Sequence, residues 1–293
     1  MPMSIRIGLV GAGPWTGKFH APMVSASPHT TLEAVWARRP EAAAEVTEEY
    51  GGVAVDTYDE LLERVDAVAF AVPPDVQAAM APRAARAGKH LVLEKPLAFT
   101  MEGAQEIADA VEESGVSAVL MLRNRFTAAG RTFVEAAQGA QARGGHAQFV
   151  TGAALEGNDF ATPWRIARGA VWDIGPHSLD LLDAAMGRIE EVTATGDPLR
   201  WVSLVTRHEG GAIGQVSLSI TTPHVPGTLH CEVFTEAGPV VFDGAVSDAE
   251  EGVGDALMEA LAVAVQAGGD SAIGVRRGLE LQRLLVSAEQ QLA

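Results

Sequence analysis

Through its first 122 residues the chain alternates short apolar runs with longer stretches of helical periodicity, the pattern of a parallel sheet covered by helices. Ile5 to Val10, Thr31 to Trp36, Ala67 to Val72, His90 to Leu93 and Ala118 to Leu122 read as strands. Between them, Gly17 to Ala26, Pro40 to Tyr50, Tyr58 to Arg64, Asp75 to Ala87 and Met101 to Ser114 read as helices. Gly88 and Gly115 stand where two of these should stop. Five such units predict an α/β, doubly wound dinucleotide-binding domain over residues 1–122.

From residue 123 the pattern changes. After helical stretches at Ala128 to Gln138 and Asp173 to Met186, strand-like runs follow one another with turn residues between them: His146 to Ala154, Ile189 to Gly196, Leu199 to His208, Ala212 to Thr222, Thr228 to Glu236 and Val240 to Asp243. Residues 123–293 are therefore expected to form an α+β domain with a mainly antiparallel open sheet, closed by a helix from Val275 onward. One face of such a sheet carries helices and the other is free to meet a second copy, so a homodimer or homotetramer through this sheet is expected.

Composition narrows the class of partner. At 293 residues with 47% hydrophobic and 20% charged residues, the chain has the balance of a globular enzyme. The formal charge of −17 is spread over both halves: residues 1–122 carry 9 basic and 17 acidic side chains, the remainder 12 and 21. That distribution argues against nucleic acid and anionic membrane surfaces, which require clustered Lys and Arg. No apolar run approaches the roughly 18 residues of a membrane span, and Met1 to Ser4 lead straight into the first strand, so a cytoplasmic protein is expected. The single cysteine, Cys231, excludes an intrachain disulfide and a cysteine-cluster zinc site, and reads as a small hydrophobe inside a strand. No metal site is expected.

Four local patterns carry chemistry. Gly11-Ala12-Gly13-Pro14-Trp15-Thr16-Gly17 follows the first strand and opens a helix; it is either a plain strand-to-helix turn or the turn whose backbone approaches a dinucleotide pyrophosphate. Thr16 occupies the third consensus position, so packing there must accommodate a hydroxyl. The second strand ends Trp36-Ala37-Arg38-Arg39 with no acid to hold a ribose 2′-hydroxyl; the two guanidiniums suit a 2′-phosphate, and thus NADP with NAD second, or else pair with Glu41 or Glu45. Glu94-Lys95-Pro96 closes the fourth apolar run. Lys95 is one of three lysines among the chain's 21 Lys and Arg residues, and a half-buried lysine can exchange a proton near neutral pH where arginine cannot. Asp173 and His177, four apart, would share one helix face as a carboxylate tuning an acid–base imidazole, or would be an N-capping acid beside an exposed histidine. Trp15, close to the pyrophosphate turn, Trp36 and Trp201 read as packing groups, and His20, His29 and His90 as structural.

Gly11-Ala12-Gly13-Pro14-Trp15 with His20-Ala21-Pro22, Val72-Pro73-Pro74-Asp75, Glu94-Lys95-Pro96-Leu97, Asn124-Arg125-Phe126, Trp164-Arg165, Asp173 through His177 and Gly278-Leu279 together resemble the glucose–fructose oxidoreductase / inositol dehydrogenase / rhizopine-catabolism (Gfo/Idh/MocA) family over nearly the whole chain. The resemblance implies a Rossmann domain, a second α+β domain, and hydride exchange between a nicotinamide and a sugar or polyol carbon. It implies cofactor contacts from Gly11, Gly13, Pro14, Trp15, Thr16, Arg38, Arg39, Pro73, Pro74, Gln77, Glu94 and Lys95. Lys95, His177 and Asp173 would be catalytic, with Asn124, Trp164 and Arg165 beside them on the substrate. Three departures bear on substrate identity: the shortened Arg168-Gly169-Ala170-Val171 approach to Asp173, Gln77 where many members carry histidine, and the modest chain length. A dinucleotide-sensing protein without turnover is the competing class.

Overall fold

A computed structural model describes residues 4–292. In chain order the strands are β1 (Ile5–Val10), β2 (Thr30–Trp36), β3 (Val53–Ala54), β4 (Ala67–Phe70), β5 (His90–Leu93), β6 (Ala118–Leu120), β7 (Ala142–Val150), β8 (Ile189–Asp197), β9 (Trp201–His208), β10 (Ile213–Ser219), β11 (Leu229–Thr235) and β12 (Gly238–Asp243). The α-helices are α1 (Ala21–Ala26), α2 (Pro40–Tyr50), α3 (Tyr58–Arg64), α4 (Pro74–Arg86), α5 (Met101–Ser114), α6 (Ala128–Gln138), α7 (Pro163–Asp173), α8 (Gly175–Met186), α9 (Gly244–Asp248), α10 (Val253–Ala267) and α11 (Val275–Leu292). A π-helical turn, Thr16–His20, leads into α1.

The chain forms two compact units. The first holds the residues up to Met121 together with Glu251–Gln282; the second holds Leu122–Glu250 and the chain from Arg283 on. Residues 251–282, expected with the second domain, thus pack with the first. Their attachment is specific: Asp270 accepts from the backbone N–H of Ala118, Ile273 accepts from that of Leu120, and the Gln282 amide donates to Ala98 O at 3.0 Å.

The first unit's sheet has six parallel strands in the order β3-β2-β1-β4-β5-β6. One more strand is present than the hydrophobic pattern predicts. The addition, β3, is two exposed residues, too short and too polar in its setting to leave a signal. By contrast all four residues of β4 are buried, as a strand covered on both faces requires. Threonines set two helix starts where expected: Thr57 and Thr100 accept from the N–H three residues on at the heads of α3 and α5, a cap worth about 1 kcal/mol each.

The second unit's sheet runs β12-β11-β7-β10-β9-β8 and is antiparallel except for the parallel β7–β10 pair. Helices α6, α7 and α8 pack on one face. The other presents Trp201, Val205, Ile213, Phe234 and Val241, each 42–51% exposed, so Trp201 is a surface residue and not the packing group it was read as. Cys231 lies buried in β11 as expected, and burial pushes its thiol pKa up. No helix among the described residues is long and apolar enough to cross a membrane.

Candidate functional site

Strand order in the first sheet reverses between β1 and β4, and open parallel sheets bind ligands in the crevice beyond the strand ends at such a point. A cavity of about 450 Å³ lies there, walled by Gly11 to Gly13 after β1, Trp36 to Arg39 after β2, and Ala71 to Pro73 with Val76 after β4. Gly11 has φ of 112°, and a Cβ on it would meet Ala71 O at 2.4 Å, so only glycine lets this turn lie against the neighbouring strand. Gly13 is exposed, and a Cβ there would meet nothing within 4 Å. Thr16 answers the question its hydroxyl raised: it is fully buried, and its Oγ1 accepts from the Gly13 N–H at 3.2 Å, cross-bracing the turn. Trp36, read as packing, does touch the Tyr58 ring at 5.9 Å but also lines the cavity.

Arg38 and Arg39 are exposed at the cavity wall. The alternative of pairing with Glu41 or Glu45 is not realised: among the described residues neither arginine makes an ion pair. Arg39 supplies the extended residue ahead of α2, whose first position is Pro40.

At the end of β5 the backbone enters Glu94-Lys95-Pro96, with the Lys95–Pro96 peptide cis. This loop is fixed from behind. Gln77, fully buried on α4, accepts from Glu94 N at 2.8 Å and donates to Glu94 O at 2.9 Å and Leu97 O at 3.0 Å. Gln77 therefore holds the loop by its backbone and is absent from the cavity wall, whereas Pro73 lines the wall and Pro74 begins α4.

The Glu94 carboxylate organises the polar side of the loop. Its Oε1 lies 2.8 Å from His20 Nε2 and accepts from Trp15 Nε1 at 2.8 Å, while Oε2 accepts from Lys95 N at 3.2 Å. Burial pushes the Glu94 pKa up, but the His20 hydrogen bond and charge, the Lys95 ammonium and the Trp15 N–H outweigh it and hold the carboxyl below its ordinary value. Trp15 also stacks on Phe19 at 5.3 Å. His20 is wholly buried, and its Nδ1 has no hydrogen-bond partner among the described residues. Sequence reasoning placed His20 among structural residues; its partner stands 74 residues away, and the one hint was its position five residues after Trp15 on the same turn.

In the second unit, Asp173 and His177 do not share one helix. Gly169 breaks the helical course with φ of 74°, Asp173 ends α7, and Ile174 separates it from α8. The break is needed because Pro198 O sits 2.4 Å from where a Gly169 Cβ would stand, and the same carbonyl accepts from Ala170 N at 2.9 Å. Pro176 lies in the first turn of α8, where its missing N–H costs nothing. Asp173, 4% exposed, accepts from Arg165 Nε at 2.9 Å. Arg165 lies 4.6 Å from the Trp164 ring centre and also donates to Thr162 Oγ1, so Trp164, Arg165 and Asp173 form one assembly. His177 is half-buried with the Phe149 ring 6.2 Å away. Asn124 lies in a 3₁₀ turn, half-buried, its carbonyl bonded by the Thr127 hydroxyl.

The strand order and the glycine-turned cavity define a Rossmann-type dinucleotide-binding protein. The model of the oxidoreductase family with NAD-binding Rossmann fold matches residues 5–121, and that of the GFO/IDH/MocA C-terminal domain matches residues 129–241. The chain belongs to the Gfo/Idh/MocA family, as its motifs implied. It is 32% identical over 209 residues to the dTDP-3,4-didehydro-2,6-dideoxy-alpha-D-glucose 3-reductase of Streptomyces violaceoruber, covering 69% of this chain and 61% of that one. The matching enzyme of the same description from Actinomadura kijaniata is 37% identical over 38% of this chain and 34% of its own, so the chain spans under two thirds of these relatives. Among solved structures, an oxidoreductase domain protein from Kribbella flavida superposes with a TM-score of 0.89 at 22% identity, covering 99% of this chain and 97% of that chain. The WlbA dehydrogenase from Bordetella pertussis, in complex with NADH and UDP-GlcNAcA, gives 0.87 at 22% identity over 98% and 95%. These two likenesses are of fold.

Proposed function

We propose that the protein is an oxidoreductase that exchanges hydride between a nicotinamide dinucleotide, NADP in preference to NAD, and a secondary alcohol or ketone on a sugar-like or polyol ring. The observation that carries this reading is the cavity at the β1/β4 reversal, whose wall combines the open glycine turn with two guanidiniums that make no ion pair among the described residues. The residues fit the group. Gly11, Gly13, Pro14, Trp15 and Thr16 would hold its pyrophosphate, Arg38 and Arg39 its 2′-phosphate, and Pro73 and Pro74 its nicotinamide side.

When bound, the dinucleotide supplies or accepts the hydride. What the chain must add is charge and proton control at the substrate oxygen. Lys95, on a loop pinned by Gln77 and Glu94, holds an ammonium that stabilises a developing alkoxide. His177 moves the hydroxyl proton, an imidazole being suited to transfer near neutral pH. Asp173, Arg165, Trp164 and Asn124 would set the substrate's orientation. A ring-bearing sugar is favoured by the relative at 32% identity, which is named for reduction of a deoxysugar ketone. The half-exposed apolar side chains on the free face of the second sheet favour pairing with a second copy.

Fluorescence titration with NADPH and NADH, followed by a panel of sugars, polyols and their ketones, tests the reading. Tighter NADPH binding and turnover of a panel member are expected. Binding with no turnover anywhere in the panel would instead establish the dinucleotide-sensing class, and absence of binding would remove both.

A further inference from the structure

The free face of the second sheet carries a cluster outside the hydride-transfer site. His146 lies on β7; His230 and Glu232 lie on β11, the antiparallel neighbour. Register puts Glu232 directly opposite His146, and His230, two residues along, projects from the same face because strand side chains alternate with period two. The intervening Cys231 points the other way and is buried, so no thiol takes part. His146 Nε2 is 3.7 Å from Glu232 Oε2, the two imidazole centres are 6.4 Å apart, and one ligand atom from each of the three residues lies within 4.8 Å of the others.

We infer that His146, His230 and Glu232 form a binding site for a divalent transition-metal cation of the zinc class, clamping β7 to β11. Metal–ligand distances of about 2.0–2.2 Å at tetrahedral angles place ligand atoms roughly 3.3–3.6 Å apart. The observed His146–Glu232 separation of 3.7 Å meets that spacing with little adjustment. Small side-chain rotations close the remainder. Two imidazoles and a carboxylate are borderline donors that suit zinc, cobalt or nickel over calcium or magnesium, which take oxygen sets. All three residues stand on paired strands, not loops, so the donor triangle exists before the ion arrives and binding costs little ordering. Of further donors in register, Asp243 stands opposite His230 but its carboxylate already caps the N–H of Ala245. Each chain therefore supplies three ligands and leaves the rest of the coordination sphere to water or to a second copy paired on this face.

Sequence spacing hides the site, since His146 and His230 are 84 residues apart and only the β7–β11 pairing joins them. The inference is independent of the hydride-transfer reading. The excess of acidic over basic groups, −17 in all, adds a general attraction for cations but no site.

Calorimetric titration of tag-free, chelator-treated protein with Zn²⁺ tests the site. One ion per chain is expected. His230→Ala and Glu232→Gln should each weaken binding by roughly tenfold or more, and His29→Gln, outside the cluster, should leave it unchanged. His230 is exposed and its replacement leaves the fold intact, which far-UV circular dichroism checks; Glu232→Gln keeps shape while removing the charge. Absence of zinc binding at submillimolar concentration, or undiminished binding in the His230→Ala/Glu232→Gln double variant, would overturn the inference.

Discussion

Replacing Gln77 with methionine should loosen the Lys95 loop without touching the cavity. Gln77 is fully buried and makes three bonds of 2.8–3.0 Å to the backbone of Glu94 and Leu97. Methionine has similar length but neither donates nor accepts well, so Glu94 N, Glu94 O and Leu97 O all lose this partner. A stranded buried backbone group costs about 1–3 kcal/mol, so the three together cost roughly 3–9 kcal/mol. Burial of the thioether in place of an amide recovers up to about 3 kcal/mol. The net loss is thus of order 3 kcal/mol, a large share of the roughly 5–15 kcal/mol that holds a domain folded. Urea denaturation followed by circular dichroism reads it directly; with a slope of about 3 kcal/mol/M, the midpoint should fall by about 1 M. NADPH affinity measured under folding conditions should fall alongside. A midpoint shift below about 0.2 M would show that the amide is not what fixes the loop, and the assignment of Gln77 as its anchor would fail.

Lys95→Met should lower kcat by about 10²–10⁴ while leaving NADPH affinity nearly unchanged; an active variant refutes the role given to Lys95. His177→Ala should flatten the acidic limb of kcat/KM against pH, and an unaltered limb removes His177 from proton transfer. Arg38→Ala with Arg39→Ala should weaken NADPH at least tenfold more than NADH, since each charge-assisted bond is worth about 1.5–3 kcal/mol; equal weakening eliminates the 2′-phosphate reading. The Glu94 carboxyl is held below its ordinary value of 4.5 in the fold, so the native state binds fewer protons there than the unfolded chain. Its contribution to stability is present above pH 4.5 and is lost as the pH falls further. The stability advantage of wild type over Glu94→Gln should therefore shrink from pH 4.5 downward, and a gap that stays constant to pH 3 contradicts the electrostatic account.

The first unit was largely legible because its signals are local. Ile5 to Val10, the glycine turn and the run into Glu94 each declare themselves within ten residues, and the structure places them at the end of β1 and β5. Helix α10 carries Leu257, Met258, Leu261 and Ala264 at helical spacing on its buried side, a pattern the reading passed over for the strand-like runs before it. Other features were illegible for physical reasons. Two exposed residues make β3, and only backbone pairing with β2 identifies it. The Asp173–His177 spacing suggested one helix because nothing in that short segment reveals that α7 ends at Asp173 and α8 begins after Ile174. His20 meets Glu94, Arg165 meets Asp173, and His146 meets His230 through folds in the chain that pairwise spacing does not encode.

The assignment of residues 251–282 to the first unit has a consequence for how the protein is made. The chain up to Met121 is made before the residues that complete its unit: β6 lacks Asp270 and Ile273 as backbone partners, and Ala98 lacks Gln282, until the middle of α11 has been synthesised. The middle of the chain, Leu122–Glu250, emerges in the meantime with a sheet and three covering helices of its own. At about 5–20 residues per second, the 161 residues from Leu122 to Gln282 take roughly 8–32 s to appear. For that interval the nascent dinucleotide-binding unit is a sheet whose β6 lacks these backbone partners, and it is completed only once Gln282 has been made.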